Sequence, residues 1–115
     1  MHYTRIYADE SGHSHFEHVQ VPVADRGVIG SISLPFETKT MMFRENKADY
    51  NWEFHNAPAK QFIVLLDGEI EITTSLGEVR RFTGGDVLLV EDTTGYGHKT
   101  ENVVQCIRKS LFITF

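Results

Sequence analysis

Gln61-Phe62-Ile63-Val64-Leu65-Leu66-Asp67-Gly68-Glu69-Ile70-Glu71-Ile72-Thr73-Thr74 is the stretch from which the fold class is read. A continuous apolar run ends at Asp67-Gly68, a two-residue turn signal, and strict polar/apolar alternation follows it. The pattern predicts a hairpin with one buried and one polar face. Downstream, Ser75-Leu76-Gly77 turns the chain into Glu78-Val79-Arg80-Arg81-Phe82, and Thr83-Gly84-Gly85-Asp86 turns it again into Val87-Leu88-Leu89-Val90.

Upstream, Thr4 to Tyr7, Phe16 to Val21, Ile29 to Leu34, Phe36 to Arg44 and Asn51 to His55 read as further strands, and Val103 to Phe115 supplies one or two more. No stretch carries apolar residues at i, i+3, i+4 and i+7 as a helix would. About nine to eleven short strands with Gly- and Pro-bearing turns predict an all-β, antiparallel sandwich or barrel, because closure or two packed sheets removes the sheet edges.

At 115 residues and 13.1 kDa the chain has room for one domain, which excludes an enzyme with separate cofactor and substrate lobes. Its 41% hydrophobic and 23% charged residues fit a globular core. A core of that size needs neither disulfide nor structural metal, so any metal would be functional. The single cysteine, Cys106, cannot form an internal disulfide and reads as a buried, inert thiol. With no secretory leader and no run of about 18 apolar residues, a cytoplasmic protein without a membrane partner is expected. The formal charge of −5 has the wrong sign for nucleic acid, which is not expected as a partner.

Trp52 to Asn102 resembles the small single-domain cupins, RmlC-like jelly-roll proteins with a double-stranded β-helix barrel. That family's first motif runs Gly, His-x-His, Glu, Gly. It aligns here on Asp49, His55-Asn56-Ala57, Gln61 and Gly68, so that Ala57 replaces the second histidine, Gln61 the glutamate and Asp49 the leading glycine. The second motif begins at Gly85-Asp86-Val87 and reaches His98-Lys99-Thr100-Glu101-Asn102 through a loop, Glu91 to Gly97, that lacks the family's proline. The wording His55-Asn56-Ala57-Pro58 and Tyr96-Gly97-His98 is similar to a subgroup of uncharacterised bacterial cupin-domain proteins. The resemblance implies one cupin domain over residues 1–115: N-terminal strands and a loop in 1–50, the motifs in 51–102, and C-terminal strands in 103–115.

In this family the ligands point into the barrel from facing strands, which implies that His55, Gln61 and His98 hold a divalent metal ion. Two imidazoles and an amide do not distinguish Fe, Mn, Ni, Co and Zn. They also leave the charge of the ion uncompensated, which favours a small anionic organic ligand beside it. The resemblance implies either a metal-dependent dioxygenase or an isomerase or lyase. The alternative is a non-enzymatic binding or sensing module with a degenerate metal site. Met42, Trp52 and Asp92 are the expected ligand contacts. Asp92 would supply a carboxylate if its loop folded over the barrel mouth, or else form an Asx-type turn with Thr93 and Thr94.

Parity along one strand places Tyr50, Trp52 and Phe54 on the face opposite Asn51, Glu53 and His55, unless a bulge intervenes. His13, His15 and His18 read as a solvated turn and strand rather than a second metal site, with His15 the one expected to be tied down. Arg44, Arg80 and Arg81 are scattered over predicted strands. A homodimer is expected on the ground that the apolar segments Met1 to Tyr7 and Leu111 to Phe115 would be unpaired sheet edges.

Overall fold

The computed structural model describes all 115 residues. Twelve strands form: β1 (His2–Ala8), β2 (Ser14–Gln20), β3 (Ala24–Asp25), β4 (Ser31–Ile32), β5 (Thr40–Asn46), β6 (Asn51–His55), β7 (Gln61–Leu65), β8 (Glu69–Thr74), β9 (Val79–Thr83), β10 (Val87–Val90), β11 (His98–Asn102) and β12 (Arg108–Thr114). The only helical element is a single 3₁₀ turn, Gly27–Ile29. No helix is long and apolar enough to cross a membrane.

One six-stranded sheet has the order β2-β1-β10-β7-β12-β5 and a four-stranded sheet the order β6-β11-β8-β9, while β3 and β4 pair only with each other. From β5 onward the pairing is that of a folded-over ribbon, with β5 against β12, β6 against β11, β7 against β10 and β8 against β9. A long antiparallel ribbon whose successive pairs alternate between two sheets is a jelly roll. The all-β reading is therefore correct. One pair departs from the antiparallel rule, since β1 runs parallel to β10, with Thr4 opposite Leu88 and Ile6 opposite Val90.

The hairpin expected across Asp67-Gly68 does not form. β7 lies in the larger sheet and β8 in the smaller, so the chain changes sheets at this turn. Asp67 accepts the Lys109 backbone N–H at 2.6 Å. Gly68, at φ 70°, lets the backbone pass against the Arg108 side chain, where a Cβ would come within 2.9 Å of it. The true hairpin is the next one, β8 to β9, where Glu71 faces Arg81 and their side chains pair at 3.1 Å.

The larger sheet buries both faces of its middle, consistent with the continuous apolar run of β7. The alternation of β8 is read faithfully, with Ile70, Ile72 and Thr74 buried and Glu69, Glu71 and Thr73 partly exposed. Ile6, Leu65, Ile70, Ile72, Leu88 and Val90 form the core between the sheets. Each such side chain contributes roughly 1.5–3 kcal/mol by leaving water.

The strands expected at Ile29 to Leu34 and at Phe36 to Arg44 shrink to β4 and to a β5 that starts at Thr40. Between Val21 and Lys39 the chain makes an excursion that pairs with neither large sheet, and two prolines and two positive-φ glycines interrupt it. The terminal strands are not edges. β1 lies between β2 and β10, and β12 between β5 and β7, which removes the reason first given for a dimer.

A cavity lined by two imidazoles and two guanidiniums

The ribbon brings His55, at the end of β6, directly opposite His98, at the start of β11. Gly97 makes the approach feasible. It is buried at φ 75°, and a Cβ there would overlap the His55 carbonyl, so only glycine lets β11 begin against the end of β6. The two imidazole centroids are 4.6 Å apart with planes inclined at 60°.

Each ring is held from behind through Nδ1. His98 is 5% exposed, and its Nδ1–H donates to Asp92 Oδ2 at 2.6 Å. Asp92 is fully buried, and the same oxygen accepts the Ser14 hydroxyl at 2.8 Å. The His55 Nδ1–H donates to the Glu53 carbonyl at 2.7 Å. In the neutral form of either ring the lone pair therefore sits on Nε2. Burial holds the His55 pKa below its ordinary value; the His98 charge and, less strongly, Arg44 act in the same direction, while the Glu53 carbonyl and Asp92 oppose it.

The parity expectation fails where a bulge was the stated exception. His98 pairs with His55 but Thr100 pairs with Trp52, so β6 spends one residue more than β11 over the same span. The extra residue brings Trp52 to the same side as His55, and their rings stack at 3.6 Å and 6°. Tyr50 and Trp52 consequently border the cavity, while Phe54 points out, about half exposed.

The cavity lies between the two sheets and encloses about 60 Å³. Gln61, at the start of β7 and 3% exposed, borders it together with the imidazoles, as does Ala57. Of the expected ligand contacts, Trp52 borders the cavity and the other two do not. Met42 lies on the edge strand β5, where it is 48% exposed. Asp92 sits behind His98, where its buried carboxylate accepts from His98 and Ser14. It is neither a cavity carboxylate nor an exposed Asx turn.

The histidine-rich segment does not converge on one point. His15 Nε2 is 2.6 Å from Asp9 Oδ2, His13 bonds Ser75 Oγ at 3.0 Å and stacks on Tyr96, and His18 stacks on His2. No group of three or more His, Cys, Asp or Glu side chains is arranged to hold a metal anywhere in the chain. Cys106 lies in a bend rather than a strand and is partly exposed.

Arg44 and Arg108 complete the lining, and Arg108 went unnoticed in the sequence. The available signal was the alternation Arg108, Ser110, Phe112 on the inward side of β12, a charge set on an apolar face. Arg108 Nε donates to Asn102 Oδ1 at 3.0 Å. The Asn102 amide nitrogen lies within hydrogen-bonding range of the carbonyls of Lys47, Ala48 and Cys106, so its oxygen is the one left to accept. The motif asparagine thus orients an arginine.

No family model matches the chain, and no curated protein does. Solved structures similar to it include an RmlC-like cupin protein from Desulfovibrio desulfuricans, 13% identical over 98% of this chain and 81% of that one, with a TM-score of 0.44. Another is a putative ethanolamine utilization protein Q from Salmonella typhimurium, 16% identical over 100% of this chain and 95% of that one, with a TM-score of 0.45. The paired order β5–β12, β6–β11, β7–β10 and β8–β9 rests on this chain's own hydrogen bonds, and by it the chain is a small jelly roll.

Proposed function

We propose that the cavity binds one divalent metal ion through Nε2 of His55 and of His98, with the Gln61 amide oxygen as a weaker third donor, and a small anionic organic ligand beside it. The observation that supports this is the double anchoring of the imidazoles. Both spend Nδ1 on an acceptor behind the ring, both border one cavity, and their centroids are 4.6 Å apart. Metal-ligating histidines are oriented in this way by a carboxylate or a backbone carbonyl. Gln61 fits as a donor because its buried side chain makes no hydrogen bond within the chain. Imidazole and amide suit Fe, Mn, Ni, Co or Zn.

A bound ion would supply Lewis-acid polarisation of a ligand carbonyl or, as iron, the activation of oxygen, which are the isomerase or lyase and dioxygenase readings. Asp92 fixes the His98 tautomer, Trp52 covers one face of His55, and the aliphatic walls keep water from the ligand. A binding or sensing module without turnover is the second reading. It is favoured by Ala57 and Gln61, which stand where the family carries a histidine and a glutamate. The test is metal analysis after reconstitution with each of the five ions, with and without His55→Ala and His98→Ala. About one ion per chain in the wild type and loss in both variants is expected. A wild-type chain that takes up none overturns the metal.

The homodimer is retained on different ground. Met41 and Phe43 on edge strand β5, with Val28, Ile29 and Leu34 on the excursion, expose apolar surface that a second copy would cover. Sedimentation at micromolar concentration should give roughly twice 13.1 kDa, and Phe43→Asp should halve it. A 13.1 kDa wild-type species overturns the dimer.

A further inference from the structure

We propose that Arg44 and Arg108 form a clamp for the carboxylate of a small organic acid whose apolar body lies along the cavity toward the imidazoles. The inference deepens the reading of the cavity as a ligand pocket and does not depend on the metal.

The two arginines differ from the others of the sheets in having no counter-ion. Arg5, Arg80 and Arg81 have carboxylate partners at 3.0, 3.4 and 3.1 Å, whereas neither Arg44 nor Arg108 makes an ion pair. Arg108 is nevertheless 4% exposed. A buried guanidinium without a carboxylate is unfavourable unless something else supplies the charge. Burial lowers the Arg108 pKa, and the neighbouring Arg44 charge lowers it further. Two like charges brought to one cavity wall mark a place for an anion.

The pair is also built rather than incidental. Gly68 packs against the Arg108 stem, and Asn102, fixed by its own amide bonds, holds Nε at 3.0 Å. Arg44 lies over the rings of Tyr50 and Phe112, at 5.1 and 5.0 Å, so its guanidinium is held by aromatic faces. With Nε of Arg108 occupied, its terminal nitrogens remain for a carboxylate. Beside the pair, Asn46 and Ser110, 4% and 1% exposed, hold side-chain polar atoms with no partner in the chain. Asn46 faces Arg108 in the register of β5 and β12, and Ser110 faces Arg44.

The body of the ligand follows from the remaining walls. Ile63, Leu65, Ile70, Ile72 and Leu88 line the cavity that the clamp and the imidazoles share. An inorganic anion would leave those walls unused; a short aliphatic acid covers them. His98 opens β11 and Asn102, which holds Arg108, closes it, four residue steps or about 13 Å away along the strand. A small acid clamped at one end therefore directs its other end at the histidines.

The test uses the whole chain stripped of metal by a chelator, titrated calorimetrically at constant ionic strength with butyrate, butyramide and inorganic phosphate. Butyrate should bind saturably, with butyramide and phosphate at least tenfold weaker. Arg44→Gln and Arg108→Lys should each weaken butyrate at least tenfold, and Arg26→Gln, on the exposed excursion, should leave it unchanged. Arg44 is only partly buried, so its variant decides the matter if Arg108→Lys does not fold. Equal binding of butyrate and butyramide, no butyrate binding, or no effect of Arg44→Gln overturns the clamp. Phosphate binding as tight as butyrate overturns the organic acid. Metal uptake plays no part, so failure of the metal site and failure of the clamp are read separately.

Discussion

The two ends of the cavity solve the burial of charged and polar groups in opposite ways. At the imidazole end both rings are partnered inside the chain, since His98 leans on Asp92, Asp92 on Ser14, and His55 on the Glu53 carbonyl. At the guanidinium end the positioning is as firm, through Asn102 and Gly68, but only aromatic faces and no carboxylate meet the charge within the chain. One end is finished by folding and presents lone pairs. The other presents unmatched positive charge. A pocket of this kind is polarised along its length, and its two ends should respond to substitution with opposite signs.

That contrast is sharpest in stability. Asp92→Ala leaves the buried His98 N–H and the Ser14 hydroxyl without an acceptor, which should cost about 3 kcal/mol, since each orphaned buried group costs roughly 1–3 kcal/mol. Arg108→Met removes a buried charge that nothing pairs, keeps most of the side-chain volume, and should raise stability by about 1 kcal/mol despite the lost bond to Asn102. Urea denaturation of both variants measures the difference. A destabilised Arg108→Met together with an unaffected Asp92→Ala would erase the distinction between the two ends.

The imidazole end was largely legible in the sequence and the guanidinium end was not. His55, Gln61 and His98 stand out because they align with positions of the cupin motifs that the sequence resembles, and the fold brings all three to one cavity. Trp52 was harder, because parity argues against it and only a bulge, invisible in residue order, returns it to the His55 side. Asp92 was seen as a carboxylate of the site, but its burial and its bonds to His98 and Ser14 make it a support. Arg108 carries no motif of its own. It is recognised only once β11 and β12 are known to bring Asn102 beside it and to leave no carboxylate there. The strand alternation of β8 was read correctly, whereas the Asp67-Gly68 turn was misread, because a two-residue turn signal does not say whether the next strand pairs back or crosses to the other sheet.

The smallest expected effect couples the two ends through Arg44. The folded-state pKa of His55 lies below its ordinary value of 6.5, with burial the main cause and His98 and Arg44 adding to it. As pH falls below about 6.5, the unfolded chain gains a proton at this residue before the folded chain does, so stability is lost in that window; above it His55 contributes no pH dependence. The sign is opposite to that of a histidine paired with a carboxylate. Metal-free wild type should therefore lose more stability between pH 7.5 and 5.5 than His55→Gln does, as read from urea midpoints. Arg44→Gln removes one of the charges that lower the His55 pKa. An NMR titration of the ring should then move upward, stopping short of the ordinary value because burial remains. A ring that titrates identically in Arg44→Gln would mean that the guanidinium end does not reach His55 electrostatically, and that the polarisation of the cavity stops short of the histidines.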